Sequence, residues 1–140
     1  MSEADLAALI IEQRRIIELM ETIYSEINTL ESALREHQNA LEILNKYKMD
    51  IEQKDYDSLL PIGGGIYLPV NITKPQKMIV RVGAGVFLEK SVDETISYIN
   101  KSIEKIRRLI DERISTLNQL KNRYEEISSI IAEIQFKLKK

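Results

Sequence analysis

All five glycines and all three prolines of this 140-residue chain fall between residues 59 and 90. The flanking stretches, 3–56 and 91–140, contain neither. Glycine and proline are the residues that end helices, so the chain is free to build one long helix on each side and must turn between them. The flanks carry the pattern that such helices need. Alternate steps of four and three from Leu6 give Leu9, Gln13, Ile16, Met20, Ile23, Ile27, Leu30, Leu34, His37, Leu41, Leu44, Lys48 and Ile51, apolar except at Gln13, His37 and Lys48. The second flank repeats it with Val92, Ile96, Ile99, Ile103, Ile106, Ile110, Arg113, Leu117, Leu120, Tyr124, Ile127, Ile131, Ile134 and Leu138, where only Arg113 interrupts. A 3.5-residue period held over this length predicts a left-handed coiled coil, since a lone amphipathic helix drifts toward 3.6 with a wider stripe.

The starts of the helices are marked in the sequence. Ser91 precedes Val92 and Glu94 stands three residues on, the pattern of a capping box, and Ser2 with Asp5 repeats it less completely. The two stripes are nearly equal in length, each about 70 Å at 1.5 Å per residue. Equal stripes around a short turning segment predict an antiparallel hairpin of helices, with helix over 3–56 and 92–138 and both termini at the same end.

The middle contains an internal repeat. Ile62-Gly63-Gly64-Gly65-Ile66-Tyr67-Leu68 returns twenty residues later as Val82-Gly83-Ala84-Gly85-Val86-Phe87-Leu88. Glycine supplies the positive φ of tight hairpin turns, so Gly63, Gly64, Gly65, Gly83 and Gly85 mark two β-hairpins within 59–90. Strands are expected near 59–62, 66–72, 77–82 and 86–90, with Thr73-Lys74-Pro75-Gln76 between the hairpins. Alternation puts Ile66, Leu68, Val70 and Ile72 on one face, Met78, Val80 and Val82 on another, and Val86 with Leu88 on a third; Tyr67, Asn71, Arg81 and Glu89 take the opposite sides. Pro69 assigns its strand to an edge or a bulge. With the helices occupied by each other, these hairpins have no cover within the chain. Isolated hairpins are marginal in water and open edges invite pairing, so hairpins of several chains are expected to join in a closed barrel. The fold class read from the residues is α+β: a long antiparallel two-helix coiled coil joined by two β-hairpins, in one domain spanning 1–140, that assembles between subunits.

Composition narrows the function. The formal net charge is −2, without the basic surplus that nucleic-acid binding needs. There is no cysteine, which removes disulfide and thiolate chemistry. The opening MSEADLAALIIEQRR is acidic where a secretion signal is basic, and its apolar run is too short to span a bilayer, so a cytosolic protein without membrane attachment is expected. His37, the single histidine, sits on a seam seat without a cluster of other ligands, a register-setting position rather than a metal site. Gln13, Lys48 and Arg113 can lay their stems along the seam with their heads in water, and Arg113 has Glu31 or Glu36 as candidate partners. Gly83-Ala84-Gly85 followed by Lys90-Ser91 fails as a phosphate loop, because Glu89 stands where glycine is needed and the spacing is wrong. One histidine on a seam seat and carboxylates on solvent faces give no enzyme site and no cofactor. Lys137, Lys139 and Lys140 suit the negative end of a helix.

Leu60-Pro61-Ile62-Gly63-Gly64-Gly65-Ile66-Tyr67-Leu68-Pro69 and Val82-Gly83-Ala84-Gly85-Val86-Phe87-Leu88-Glu89-Lys90-Ser91-Val92, set between two heptad helices, resemble the α-class subunits of prefoldin from archaea over the whole chain. Two hairpins resemble the α class, since the β class has one. The resemblance implies a hexamer of two α and four β-class subunits, with a β-barrel platform and six coiled coils. Their tips hold non-native polypeptides without ATP and deliver them to a group II chaperonin. It implies assembly through Ile62, Ile66, Leu68, Val70, Ile72, Met78, Val80, Val82, Val86 and Leu88. A filament-forming α-like paralogue and a structural coiled-coil tether remain the alternatives. The end that carries the termini is richer in apolar residues than one seam requires, adding Ile10, Ile11, Ile17, Ile130 and Phe136 to seats such as Leu6, Leu9, Ile131, Ile134 and Leu138. These are the candidate client-binding residues.

Overall fold

In a computed structural model of the chain, the structure describes residues 2–51, 55–73 and 77–139. Helix α1 runs Glu3–Lys46 and a π-helical turn follows at Tyr47–Ile51. Four strands come next, β1 Tyr56–Gly63, β2 Ile66–Ile72, β3 Met78–Gly83 and β4 Val86–Lys90, and helix α2 Val92–Leu138 closes the order. The chain divides into two compact units, one of Met1–Ala33 with Ile106–Lys140 and one of Leu34–Lys105. The side chain at the seat Ile51 and the middle of the inter-hairpin connection, 74–76, lie outside the described residues.

The first unit is coiled coil alone. Ile16, Ile127 and Ile131 form one buried cluster, against which Leu6, Leu9, Met20, Leu120 and Tyr124 pack. Ile23, Ile27 and Leu117 form a second cluster, flanked by Met20 and Leu120. All of these are seats of the 3-4 repeat, and Ile127 is 0% exposed. Burying one such side chain contributes roughly 1.5–3 kcal/mol. Polar links set the direction of pairing. Arg123 donates from Nε to Glu12 Oε1 at 3.0 Å and from Nη2 to Glu12 Oε2 at 3.3 Å. Gln13 Nε2 donates to Ser128 Oγ at 2.8 Å, so this seat is tied across the seam instead of reaching to water. Arg113 meets Glu26 at 2.8 Å, not the acids weighed from the sequence. As one strand of the coil ascends from 12 to 26, its partners descend from 128 to 113, so the segments are antiparallel.

The second unit combines coiled coil with both hairpins. Val92, Ile99, Ile103 and Tyr47 are its buried apolar side chains. Tyr47, three residues after Leu44, is the buried side chain where the pattern expects Lys48, at the point where α1 gives way to the π turn. Lys48 points outward and pairs with Asp93. Ser91 caps α2 through Oγ, which accepts from the Glu94 N–H at 3.1 Å; its carbonyl accepts from the N–H of Thr95 at 2.9 Å and its hydroxyl at 2.7 Å.

Both hairpins are antiparallel, and each is a separate two-stranded sheet. Their registers are copies offset by twenty: Gly63 opposes Ile66, Pro61 opposes Tyr67 and Leu60 opposes Leu68, while Gly83 opposes Val86, Arg81 opposes Phe87 and Val80 opposes Leu88. Each has a bulge just before its turn. The turns are Gly64-Gly65, with φ of 60° and 76°, and Ala84-Gly85, with φ of 48° and 75°. Positive φ at both central residues is the geometry that matches strand twist in two-residue hairpins. Ala84 adopts it at a steric cost that Gly64 avoids. Strand β1 begins at Tyr56, earlier than expected, and the α-helix ends sooner, since Tyr56, Asp57 and Ser58 supply the partners that Ile72, Asn71 and Val70 need.

Candidate functional site

Two sets of exposed apolar side chains stand out, one in each unit. In the first unit, the end that carries both termini begins with a complete cap. The Ser2 N–H and hydroxyl both donate to Asp5 Oδ2, at 2.8 and 3.0 Å, and Ser2 Oγ accepts from the Asp5 N–H at 3.3 Å. These hydrogen bonds hold the Asp5 carboxyl below its ordinary value of 3.8. Farther along, the carboxylate of Glu12, and then that of Glu126, push the Arg123 guanidinium up.

The candidate client residues divide by burial. Ile131 and Ile134 are buried in the seam, and Leu6 and Leu9 are half-buried against the Ile16–Ile127–Ile131 cluster. Ile130 is half-buried as well. Ile11 is 68% exposed, Phe136 64%, Leu138 52%, Ile17 40% and Ile10 37%. The seats therefore close the coil, apart from Leu138 in the last turn of α2, and the residues off the seats present apolar surface to water. Sequence reading missed Leu19 and Tyr24, which are also exposed. Tyr24 joins Ile17, Met20 and Tyr124 around a recess of about 210 Å3, and the Lys121 ammonium lies 5.8 Å from its ring centre. Their position off the 3-4 seats was the signal that could have found them.

In the second unit the exposed residues concentrate on the hairpins. Ile62, Ile66, Leu68, Val86 and Leu88 are exposed, as are Leu59, Leu60, Tyr67, Ile79 and Phe87. Val70, Ile72, Met78, Val80 and Val82 are half-buried. Both faces of each hairpin thus carry exposed apolar groups, far more than a soluble surface leaves bare without a partner. The face of β3 is less open than expected. Met78 and Val80 line a groove of about 480 Å3 with Ala40, Leu44, Thr95 and Tyr98, so the helices of this unit give it partial cover. Tyr98 Oη donates to the Arg81 carbonyl at 3.4 Å, and Lys90 Nζ stands 5.9 Å over the Tyr98 ring. Exposed Ile43, an apolar residue off the seats, lies on the groove's rim. His37 is half-buried along the same groove. Among the described residues no cluster of His, Cys, Asp or Glu is arranged to hold a metal ion, and no helix is long and apolar enough to cross a membrane.

Residues 16–137 match the prefoldin family, described as "Prefoldin subunit". Among curated relatives, the prefoldin subunit alpha of Thermofilum pendens is 28% identical over 126 residues, covering 90% of this chain and 88% of its own length. That of Pyrococcus horikoshii is 32% identical over 111 residues, covering 79% and 74%. That of Archaeoglobus fulgidus is 28% identical over 135 residues, covering 90% and 96%. A solved structure, the cryo-EM structure of filamentous PFD from Methanocaldococcus jannaschii, aligns with a TM-score of 0.67 at 26% identity, covering 86% of this chain and 95% of the other.

Proposed function

The chain belongs to the prefoldin family, and from that premise we propose that it is an ATP-independent holdase subunit that grips non-native polypeptides at the end of its coiled coil carrying both termini. The observation that carries this reading is the set of off-seat apolar residues there, Ile10, Ile11, Ile17 and Phe136, exposed beside a closed seam. Each contact that takes such a side chain out of water is worth roughly 1.5–3 kcal/mol. One coil then binds weakly, and several coils joined in one assembly hold a client by avidity while still releasing it. The seats Leu6, Leu9, Ile131 and Ile134 support the surface from beneath, and Ile130 and Leu138 extend it.

The bare hairpins of the second unit supply the assembly. In this reading they pair with the hairpins of β-class prefoldin subunits in a barrel of two α and four β chains. The assembly works in the cytosol and hands its clients to a group II chaperonin. It needs no bound cofactor and performs no catalysis. The test is suppression of aggregation of several unrelated unfolded proteins without nucleotide, by the chain together with a β-class subunit. Broad suppression supports the holdase, and its absence refutes it. The likeness to a filamentous PFD supports a second reading, a chain that assembles with its own copies into filaments. Electron microscopy of the chain by itself separates the two, since only the second gives filaments.

A further inference from the structure

The two flanks of the seam in the first unit are unlike. On one flank α1 sets Glu12, Leu19 and Glu26 at steps of seven, and both carboxylates are paired across the seam, Glu12 with Arg123 and Glu26 with Arg113. Such charges are what a two-helix coil ordinarily carries beside its seam on both sides. On the other flank, one residue beyond the seats Leu9, Ile16 and Ile23, stand Ile10, Ile17 and Tyr24, again at steps of seven and all exposed. The next positions of that series, Glu3 and Glu31, are charged and bound the stripe at each end. From α2 this flank is bordered by Ser128, which accepts from Gln13, and by Lys121, whose ammonium lies 5.8 Å from the Tyr24 ring centre. At the inner end of the stripe the half-buried Met20 and Tyr124 join Ile17, Glu21 and Tyr24 around the recess of about 210 Å3. A cavity of about 150 Å3 with apolar walls holds a benzene ring, so this recess has room for one aromatic side chain. Two tyrosine rings and a thioether are walls that favour a ring.

We infer that the Ile10–Ile17–Tyr24 flank is a docking track for a third helix, an amphipathic helical segment of a non-native client, anchored by an aromatic side chain in the recess between Tyr24 and Tyr124. Spacing selects a helix over an extended chain. Seven residues of α-helix rise about 10.5 Å, so the three stripe residues repeat at that interval over about 21 Å. A client helix laid along the flank presents its own residues at the same interval and meets all three. An extended chain presents same-face side chains about every 6.8 Å and falls out of step at Ile17. A track of about 21 Å corresponds to roughly 15 residues of helix, close to the usual length of a helix in a globular protein. The track is continuous with the gripping surface proposed above, since Ile10 and Ile17 belong to both. The opposite flank interrupts any such contact, because Leu19 stands between the two ion-paired carboxylates. This inference rests on the holdase reading and names the conformation of the client segment that this flank takes.

The probe is a fluorescent peptide of about 16 residues, with leucines in a 3-4 repeat and one phenylalanine among them. Its comparison has the same composition in strict alternation, the pattern of a strand. Fluorescence anisotropy reads binding of each to the full chain, and circular dichroism reads helix gained on binding. The helical peptide is expected to bind at least about tenfold tighter than the alternating one. Ile17→Ser and Tyr24→Ser should each weaken it about tenfold or more, while Tyr24→Phe keeps the ring and the affinity, and Leu19→Ser on the other flank leaves it unchanged. Alanine in place of the peptide's phenylalanine should weaken binding to the native chain about tenfold and make little difference to the Tyr24→Ser chain, a coupling that a merely structural tyrosine does not produce. The peptide side of that cycle leaves the coil untouched, so the test stands even where a variant unfolds. The assignment is overturned if the alternating peptide binds as tightly, if Leu19→Ser weakens binding as much as Ile17→Ser, if the Tyr24→Ser chain still tells phenylalanine from alanine, or if Tyr24→Ser lowers the mass of the chain in solution, which would make the stripe a contact between copies. A chain that suppresses aggregation without preferring the helical peptide refutes the track and leaves the holdase, and one that prefers the helical peptide without suppressing aggregation refutes the holdase.

Discussion

Replacing Ile11 and Phe136 together by serine separates a gripping surface from a structural one. The two side chains are 68% and 64% exposed, so about two thirds of each is available to a client. Full burial of such a side chain is worth roughly 1.5–3 kcal/mol, so the available part contributes about 1–2 kcal/mol per residue and about 2–4 kcal/mol for the pair. At about 1.4 kcal/mol per factor of ten, single-coil affinity for an unfolded polypeptide is expected to fall roughly 30- to 700-fold. Stability should stay within about 0.5 kcal/mol, because neither residue holds the seam. The assay pairs light scattering of an aggregating client with thermal unfolding followed by circular dichroism. Loss of suppression at an unchanged Tm is the expected result. Ile131→Ser makes the comparison, since Ile131 is buried in the seam cluster and its loss should lower Tm. Undiminished suppression by the double variant would show that clients bind elsewhere, and a Tm drop matching that of Ile131→Ser would show that these residues only close the coil.

Ile127→Ala empties the most deeply buried seat and is expected to cost about 2–5 kcal/mol, lowering Tm by roughly 5–15 °C in a melting experiment. Ala84→Gly relieves a left-handed alanine in the second turn and should stabilise by roughly 0.5–1 kcal/mol in urea denaturation, while Gly64→Ala does the reverse in the first turn. The Asp5 carboxyl is held low by Ser2, so its contribution to the start of α1 is present above the unfolded value of 3.8 and is lost as pH falls through the lower folded value. An NMR titration should place the Asp5 midpoint below 3.8, and Ser2→Ala should raise it only part of the way, because the backbone N–H at position 2 still donates to the carboxylate.

Much of this fold was legible because it is local. The 3-4 spacing selected the seats that the structure buries, from Ile16, Ile23 and Ile27 to Leu117, Ile127 and Ile131. The twenty-residue repeat located both turns, and Ser91 located the start of α2. Where local rules compete, the reading slipped. The 3-4 repeat puts Lys48 on a seat only if the α-helix continues, and α1 ends at Lys46, where Tyr47 is buried and Lys48 is exposed. Nothing local in Tyr56-Asp57-Ser58 favours strand over helix, and only their pairing with Ile72, Asn71 and Val70 makes them the start of β1.

The sequence by itself determined the periods, the turns and the caps, since each depends on residues within a few positions of one another. It also revealed the surplus of apolar residues near the termini, without saying which of them were bare. Only the tertiary structure decided that Ile131 and Ile134 are spent on the seam while Ile11 and Phe136 face water, that Gln13 reaches Ser128, that Arg113 takes Glu26, and that helix residues shelter Met78 and Val80. Those outcomes depend on which turn of one helix lies beside which turn of the other. That alignment is a sum of many weak contacts between residues far apart in the chain, and a pattern that repeats every seven residues fits almost equally well when slid by one repeat.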